Sequence, residues 1–252
     1  PSPDCLGPDL IILQDVNLNS LEIREEQATN CQVVEGCMTG YGQRTVLAFT
    51  TWIKNIGDID YYVGNPTANP TQFTFGNCHG HAHYEGYADY ILYRNDGQNI
   101  PIGHKNGFCV MDLECNDGGS GQYGCSNMGI SKQCGDIYSS GLECQWIDIT
   151  DVDTAEYILA IKVNWDQSPD ALGHYETNYA NNWAQVCLRI TMNSAGEKGY
   201  QILPNCQPYV DCAGTAYGNA VIDCQGNCNG TALRGDLNNN SILETNDVVS
   251  YL

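Results

Sequence analysis

The sequence predicts an all-β protein: a disulfide-stapled antiparallel β-sandwich with long functional loops, followed by a Cys-rich connector and a short tail spaced like a calcium loop. Three observations predict it. Runs rich in β-branched and aromatic residues are separated by Gly, Asn, Asp and Pro turns. No apolar period of 3.6 residues is sustained over a helix length. Fourteen cysteines are spread over 252 residues, and because cytosolic thiols stay reduced, such a load implies the disulfides of a secreted, extracellular chain. A zinc ribbon would need CxxC pairs; the nearest spacing is Cys224 to Cys228.

The strand runs come in order. Thr45 to Ile53 is the first, closed by the turn residues Asn55 to Asp58. Tyr84 to Tyr93 and Tyr157 to Val163 follow. Between them, residues 95–142 are dominated by Gly, Cys, Asn and Ser. So long a loop within a compact domain is functional when something staples it; Cys109, Cys115, Cys125, Cys134 and Cys144 are the candidates. Composition changes after Ile190. The expected division is a main domain over 1–193, a connector over 194–230 and a tail over 231–252. The connector holds Cys206, Cys212, Cys224 and Cys228, and Asp211-Cys-Ala-Gly214 and Asp223-Cys-Gln-Gly226 form a degenerate repeat. In the tail, Asp236, Asn238, Asn240 and Asp247 occupy positions 1, 3, 5 and 12 of a twelve-residue loop, oxygen ligands suited to Ca²⁺. This segment resembles half of a dockerin, a calcium module that docks to a cohesin, and implies a docking or self-assembly partner. It departs from that pattern in having Ser241 where Gly is usual and in lacking a second repeat.

Ten basic residues against thirty acidic ones give a net charge of −20. That excludes the basic footprint needed for nucleic acid or anionic lipid and favours a cationic partner. No apolar run reaches the roughly 20 residues of a membrane span. The start at Pro1 suggests a processed end, the abrupt stop at Leu252 a longer precursor, and the sequons Asn229-Gly-Thr231 and Asn239-Asn-Ser241 suit a secretory route.

The chemistry concentrates in Cys78-His-Gly-His-Ala-His-Tyr84. On a strand, His79, His81 and His83 leave the same face. A bend at Gly80 would let three imidazoles converge on one ion. Imidazole suits Zn, Cu, Fe or Ni, and spacing does not choose among them.

Further motifs follow in order: Gly103-His-Lys-Asn-Gly-Phe-Cys109, Cys144-Gln-Trp-Ile-Asp-Ile-Thr-Asp151, Tyr157-Ile-Leu159 and Asn178-Tyr-Ala-Asn-Asn182. With the histidine strand, they resemble the catalytic domain of lysyl oxidases over about Pro8 to Ile190. The resemblance implies a secreted copper amine oxidase that turns primary amines, peptidyl lysine foremost, into aldehydes with release of H₂O₂ and ammonia. It implies copper on His79, His81 and His83, and a lysine tyrosylquinone cross-linked from Lys105 and Tyr138. Ala82 departs from the aromatic residue many relatives have there. The partner expected is a cationic, lysine-rich extracellular protein or a small amine.

The chemical logic is consistent with this. Copper beside Tyr138 can direct O₂ onto the phenol, Lys105 must attack as a neutral amine, and a quinone accepts the two electrons no ordinary side chain can. Asp136, Asp148 and Asp89 are the candidates for the base that takes the α-proton of a substrate amine condensed on the quinone. The resemblance also implies disulfides Cys31–Cys37, Cys78–Cys125, Cys109–Cys115 and Cys134–Cys144, with Cys5 and Cys187 left over; spacing alone does not fix connectivity. A second function class remains, a structural subunit of a matrix, filament or scaffold. A zinc hydrolase lacks a convincing base.

Overall fold

The computed structural model describes residues 6–208 other than Asn77, His79, Asp96, Asn106 and the His81 side chain, together with Val210, Asp211, 213–215, Ala220 and Cys228. The chain opens with β1 (Leu10–Ile12), α1 (Gln14–Asn19), β2 (Glu22–Ala28), α2 (Asn30–Val34), β3 (Gly42–Ala48), β4 (Thr51–Asn55) and β5 (Tyr61–Gly64). It continues through β6 (Phe73–Gly76), β7 (His81–Tyr84), β8 (Ala88–Arg94), β9 (Asn99–Ile100) and β10 (Gly103–His104). Then come β11 (Met128–Ile130), β12 (Gly135–Tyr138), β13 (Trp146–Asp148), β14 (Glu156–Val163), β15 (Trp183–Met192) and β16 (Lys198–Ile202).

The strands form antiparallel sheets, as the turn-punctuated pattern predicts. The largest has the order β16-β15-β14-β8-β9; a second has β10-β13-β3-β2, and a third β1-β4-β12. Two-stranded pairs, β11-β5 and β6-β7, complete them. β14 is flanked by β8 and β15, and its Tyr157, Leu159, Ile161 and Val163 enter one shared core with Leu47, Ile53, Phe108 and Ile147. Ile158, Ala160 and Lys162 on the other face are buried as well, and a one-residue slip would exchange the two sets and put the lysine in this apolar core, which fixes the register.

The run Thr45 to Ile53 is not one strand. It divides into β3 and β4, which belong to different sheets. At the corner, the Thr50 carbonyl accepts from Asn17 Nδ2 at 2.7 Å and its N–H donates to Ser20 Oγ at 2.7 Å. Those side chains satisfy the backbone where the ladder stops, so the chain can change sheets there.

The four disulfides expected from the resemblance are all replaced by others. Among the described residues, the bridges are Cys31–Cys78, Cys37–Cys144, Cys109–Cys125, Cys115–Cys134 and Cys187–Cys206. Cys187 is therefore not left over. Strand pairing sets the distances instead: β3 and β13 lie side by side, for example, and bring together the segments that carry Cys37 and Cys144. Two bridges span the long loop, as its cysteine content predicts. Asp112 completes its closure by accepting from Gln122 N at 2.8 Å, Tyr123 N at 3.1 Å, Ser131 N at 2.8 Å and Ser131 Oγ at 2.7 Å.

The first compact unit reaches Cys206. β16 pairs with β15, and Cys206 is bonded to Cys187, so this stretch is part of the sheeted unit. In the second unit, 207–252, Asp211 Oδ1 accepts the N–H groups of Ala213 and Thr215, and Cys228 is disulfide-bonded. The candidate calcium ligands Asp236, Asn238, Asn240 and Asp247 lie outside the described residues. No described helix is long and apolar enough to cross a membrane.

Buried Glu176 ties the N-terminal strand to the ends of β14 and β15. It accepts from Leu10 N at 2.7 Å, Asn164 Nδ2 at 2.6 Å and Asn182 Nδ2 at 2.8 Å. Glu176→Ala strips three buried donors of their acceptor and is expected to lower unfolding free energy by about 2–4 kcal/mol, read by chemical denaturation.

Candidate active site

The histidine strand is β7, paired antiparallel with β6. It carries His81 and His83 in its backbone; the His81 side chain and the whole of His79 lie outside the described residues. The His83 ring is buried and packed against two glycines. A Cβ on Gly76 would approach His83 Cε1 to 2.8 Å, and one on Gly107 would approach Cγ to 2.7 Å. Glycine at both positions lets two backbone segments close on the imidazole. A rigidly held nitrogen donor of this kind fits a transition metal such as copper. The other two histidines are engaged elsewhere: His104 Nε2 is 3.0 Å from Asp89 Oδ1, and His174 Nδ1 is 3.1 Å from Asp170 Oδ2. Among the described residues, two further clusters have metal-like spacing, Glu35 with Cys37 and Cys144, and Asp112 with Cys115 and Cys134. Their sulfurs are all in disulfides and offer no thiolate.

His83 faces a cleft of about 280 Å³, also lined by Lys105, Gly107, Glu35, Glu85 and Phe75. Lys105 follows β10, whose Gly103 is opposite Asp148 in β13. Burial lowers the Lys105 pKa from the ordinary lysine value, while Glu35, Asp136 and Glu143 pull the other way. Burial wins, so the neutral amine is more accessible than in water. Glu35 gets its place from α2, whose capping box pairs Thr29 with Gln32, with Glu35 as the C-cap.

Tyr138 ends β12, opposite Thr51 of β4. Its ring meets Phe108 edge-on at 5.2 Å between centroids, and Lys105 Nζ lies 5.5 Å from the centre of the same Phe108 ring. The amine and the phenol ring are therefore within about 11 Å of each other. Phe108 also exchanges backbone hydrogen bonds with Tyr84, directly after His83. One residue thus adjoins the lysine, the tyrosine and the histidine strand.

The three candidate bases separate. Burial pushes Asp148 up, but it accepts from Thr150 Oγ1, Thr39 N, Thr150 N and Arg44 Nε, and these bonds hold its pKa below the usual carboxylate range. Asp89 faces His104. Asp136 is two residues before Tyr138 on the same face of β12, and its Oδ2 is 2.5 Å from the phenol oxygen. Phe108 and the paired glycines escape sequence reasoning as functional positions, although Phe108 and Gly107 sit inside the Gly103 to Cys109 motif. Glu35 carries no local signal.

Residues 11–197 match the lysyl oxidase family model. The chain belongs to the lysyl oxidase family. Among its relatives, lysyl oxidase homolog 3B of Danio rerio is 35% identical over 156 residues, which is 57% of this chain and 19% of that protein. Lysyl oxidase homolog 4 of Homo sapiens is 31% identical over 196 residues, 71% of this chain and 24% of the relative. The aligned region thus spans about a fifth to a quarter of these relatives' length. Against this family background, the glycine contacts at His83 give a direct test of the site's packing. Gly107→Ala should force the imidazole aside and lower stability by about 1–3 kcal/mol, seen as a lower Tm and a displaced His83 ring resonance.

Proposed function

We propose that this chain is a secreted copper-dependent amine oxidase that converts primary amines, peptidyl lysine foremost, to aldehydes with release of H₂O₂ and ammonia. The single observation that carries the reading is that Lys105 and Tyr138 both border Phe108, whose backbone is bonded to the end of the histidine strand. His79, His81 and His83 would hold copper, which supplies O₂ activation when bound, and the quinone formed from Lys105 and Tyr138 would supply an electrophilic carbonyl.

The chain's own groups prepare this chemistry. Partial burial of Lys105 favours the unprotonated amine, the form able to bond carbon. The Tyr138 hydroxyl lies against Asp136 Oδ2 and the Cys109 carbonyl at 3.1 Å, which fixes the ring's orientation. Glu35 and Glu85 on the cleft present negative charge to an approaching ammonium group. The net charge of −20 draws cationic protein in the same direction, more weakly as salt rises. The disulfides that staple the sheeted unit support an oxidising, extracellular location.

Protein secreted into copper-supplemented medium should contain a Lys105–Tyr138 bridge by peptide mass mapping, absorb as a quinone and release peroxide on addition of an alkylamine. Lys105→Met and Tyr138→Phe should each reduce peroxide release to background while keeping the fold. Copper-loaded protein with both residues unmodified and no peroxide would overturn the oxidase and leave a structural subunit. Separately, His83→Ala should lower bound copper per chain, measured by elemental analysis, at least about tenfold.

A further inference from the structure

We infer that Asp136 is the proton acceptor in the coupling of Lys105 to Tyr138, taking the phenolic proton as the ring is oxidised and joined to the amine. The inference rests on the quinone reading above. Four observations lead to it. Asp136 has no exposed surface, and its Oδ2 lies 2.5 Å from the Tyr138 oxygen. The other group on that oxygen is the Cys109 carbonyl, which can accept a hydrogen bond but cannot take the proton. Asp136 is thus the base in contact with the phenol among the described residues.

The second observation concerns the other carboxylate oxygen. Asp136 Oδ1 is buried with no hydrogen-bond partner among the described residues. Leaving an acceptor bare in a core costs about 1–3 kcal/mol. A purely structural acid avoids this: Asp112 and Asp148 have both oxygens bonded. Asp136 therefore keeps acceptor capacity that the fold itself does not use.

Third, burial raises Asp136 to about 8, against the opposing pull of the Tyr138 hydroxyl, the Met111 N–H and Lys105. Its proton affinity is thereby raised, which makes it a stronger acceptor; burial and Asp136 also hold the Tyr138 phenol well above its usual value, so the transfer belongs to the oxidation of the ring, when the phenol becomes acidic. Fourth, the groups acting on the pair from neighbouring elements are Lys105, Asp112, Tyr87 and Tyr90. Of these, Lys105 is the one cation, and its ammonium must also lose a proton before coupling.

The chemistry balances with O₂ as oxidant. One phenol, one amine and two O₂ give the bridged quinone, one water and one hydrogen peroxide. The Tyr138 O–H bond breaks, an O–H bond forms on Asp136, and that proton leaves with the reduced oxygen. A C–N bond forms between Lys105 and the ring as two ring C–H bonds are lost.

The test is to add cupric ion in air to metal-free wild type, Asp136→Asn and Asp136→Glu across about pH 6 to 10. Bridge formation is followed by intact mass, as the gain of one oxygen and loss of four hydrogens. Copper uptake, the disulfide map and the melting temperature report on the fold. Wild-type coupling should accelerate through about pH 8. Asp136→Asn should bind copper normally yet couple at least about 100-fold more slowly, without that inflection. Asp136→Glu should recover part of the rate together with the inflection. If Asp136→Asn does not fold, Asp136→Glu decides: loss of the inflection with normal coupling overturns the inference. Equal rates and profiles in wild type and Asp136→Asn overturn it while leaving the quinone reading intact. Failure of wild type itself to form the bridge overturns both.

Discussion

Phe108 has no exposed surface, and it forms T-shaped pairs with Tyr87, Tyr90 and Tyr138 at centroid distances of 5.6, 6.3 and 5.2 Å. Edge-to-face pairs of this kind contribute about 0.5–1.5 kcal/mol each beyond burial, so the ring has little freedom. Its backbone is bonded both ways to Tyr84, and the Lys105 amine lies near its centre. The histidine strand, the lysine loop and the tyrosine strand thereby share one reference point. Holding groups on a fixed surface removes part of the entropy cost of bringing them together, and a core aromatic is such a surface for the Lys105 amine and the Tyr138 ring.

The second requirement is to hold loops that have few strands of their own. Residues 95–142 contain only short strands, and backbone pairing alone would leave the stretch costly to order. Cys109–Cys125 and Cys115–Cys134 close it, and Asp112 gathers N–H groups from both sides of the closure. Cys134 and Cys109 each adjoin the tyrosine: one lies four residues before it in sequence, and the other's carbonyl faces its hydroxyl.

Much of this is legible from sequence. β14 and β8 follow from runs of β-branched and aromatic residues, and the histidine segment is read as a strand, which β7 is over His81–Tyr84. The motif around Lys105 also contains Phe108 and Gly107, though nothing in the string reveals that these two pack against a tyrosine and a histidine far away. Disulfide connectivity is not legible, because proximity in sequence is a poor guide to proximity across antiparallel ladders; Cys37 and Cys144 are 107 residues apart. The Thr45–Ile53 run hides a sheet change, since its corner depends on the distant side chains of Asn17 and Ser20. Asp136 is one acid among three until β12 puts it on the face of Tyr138.

The bridge Cys31–Cys78 fastens α2 to the residue immediately before His79. The histidine segment is therefore anchored through sulfur at its entrance and through the Tyr84–Phe108 backbone pair at its exit. A thiol reductant can loosen the first of these anchors without touching any imidazole. The seating of the histidine segment and the oxidation state of one cystine are consequently linked, so the placement of this strand depends on a bond made outside its own sheet.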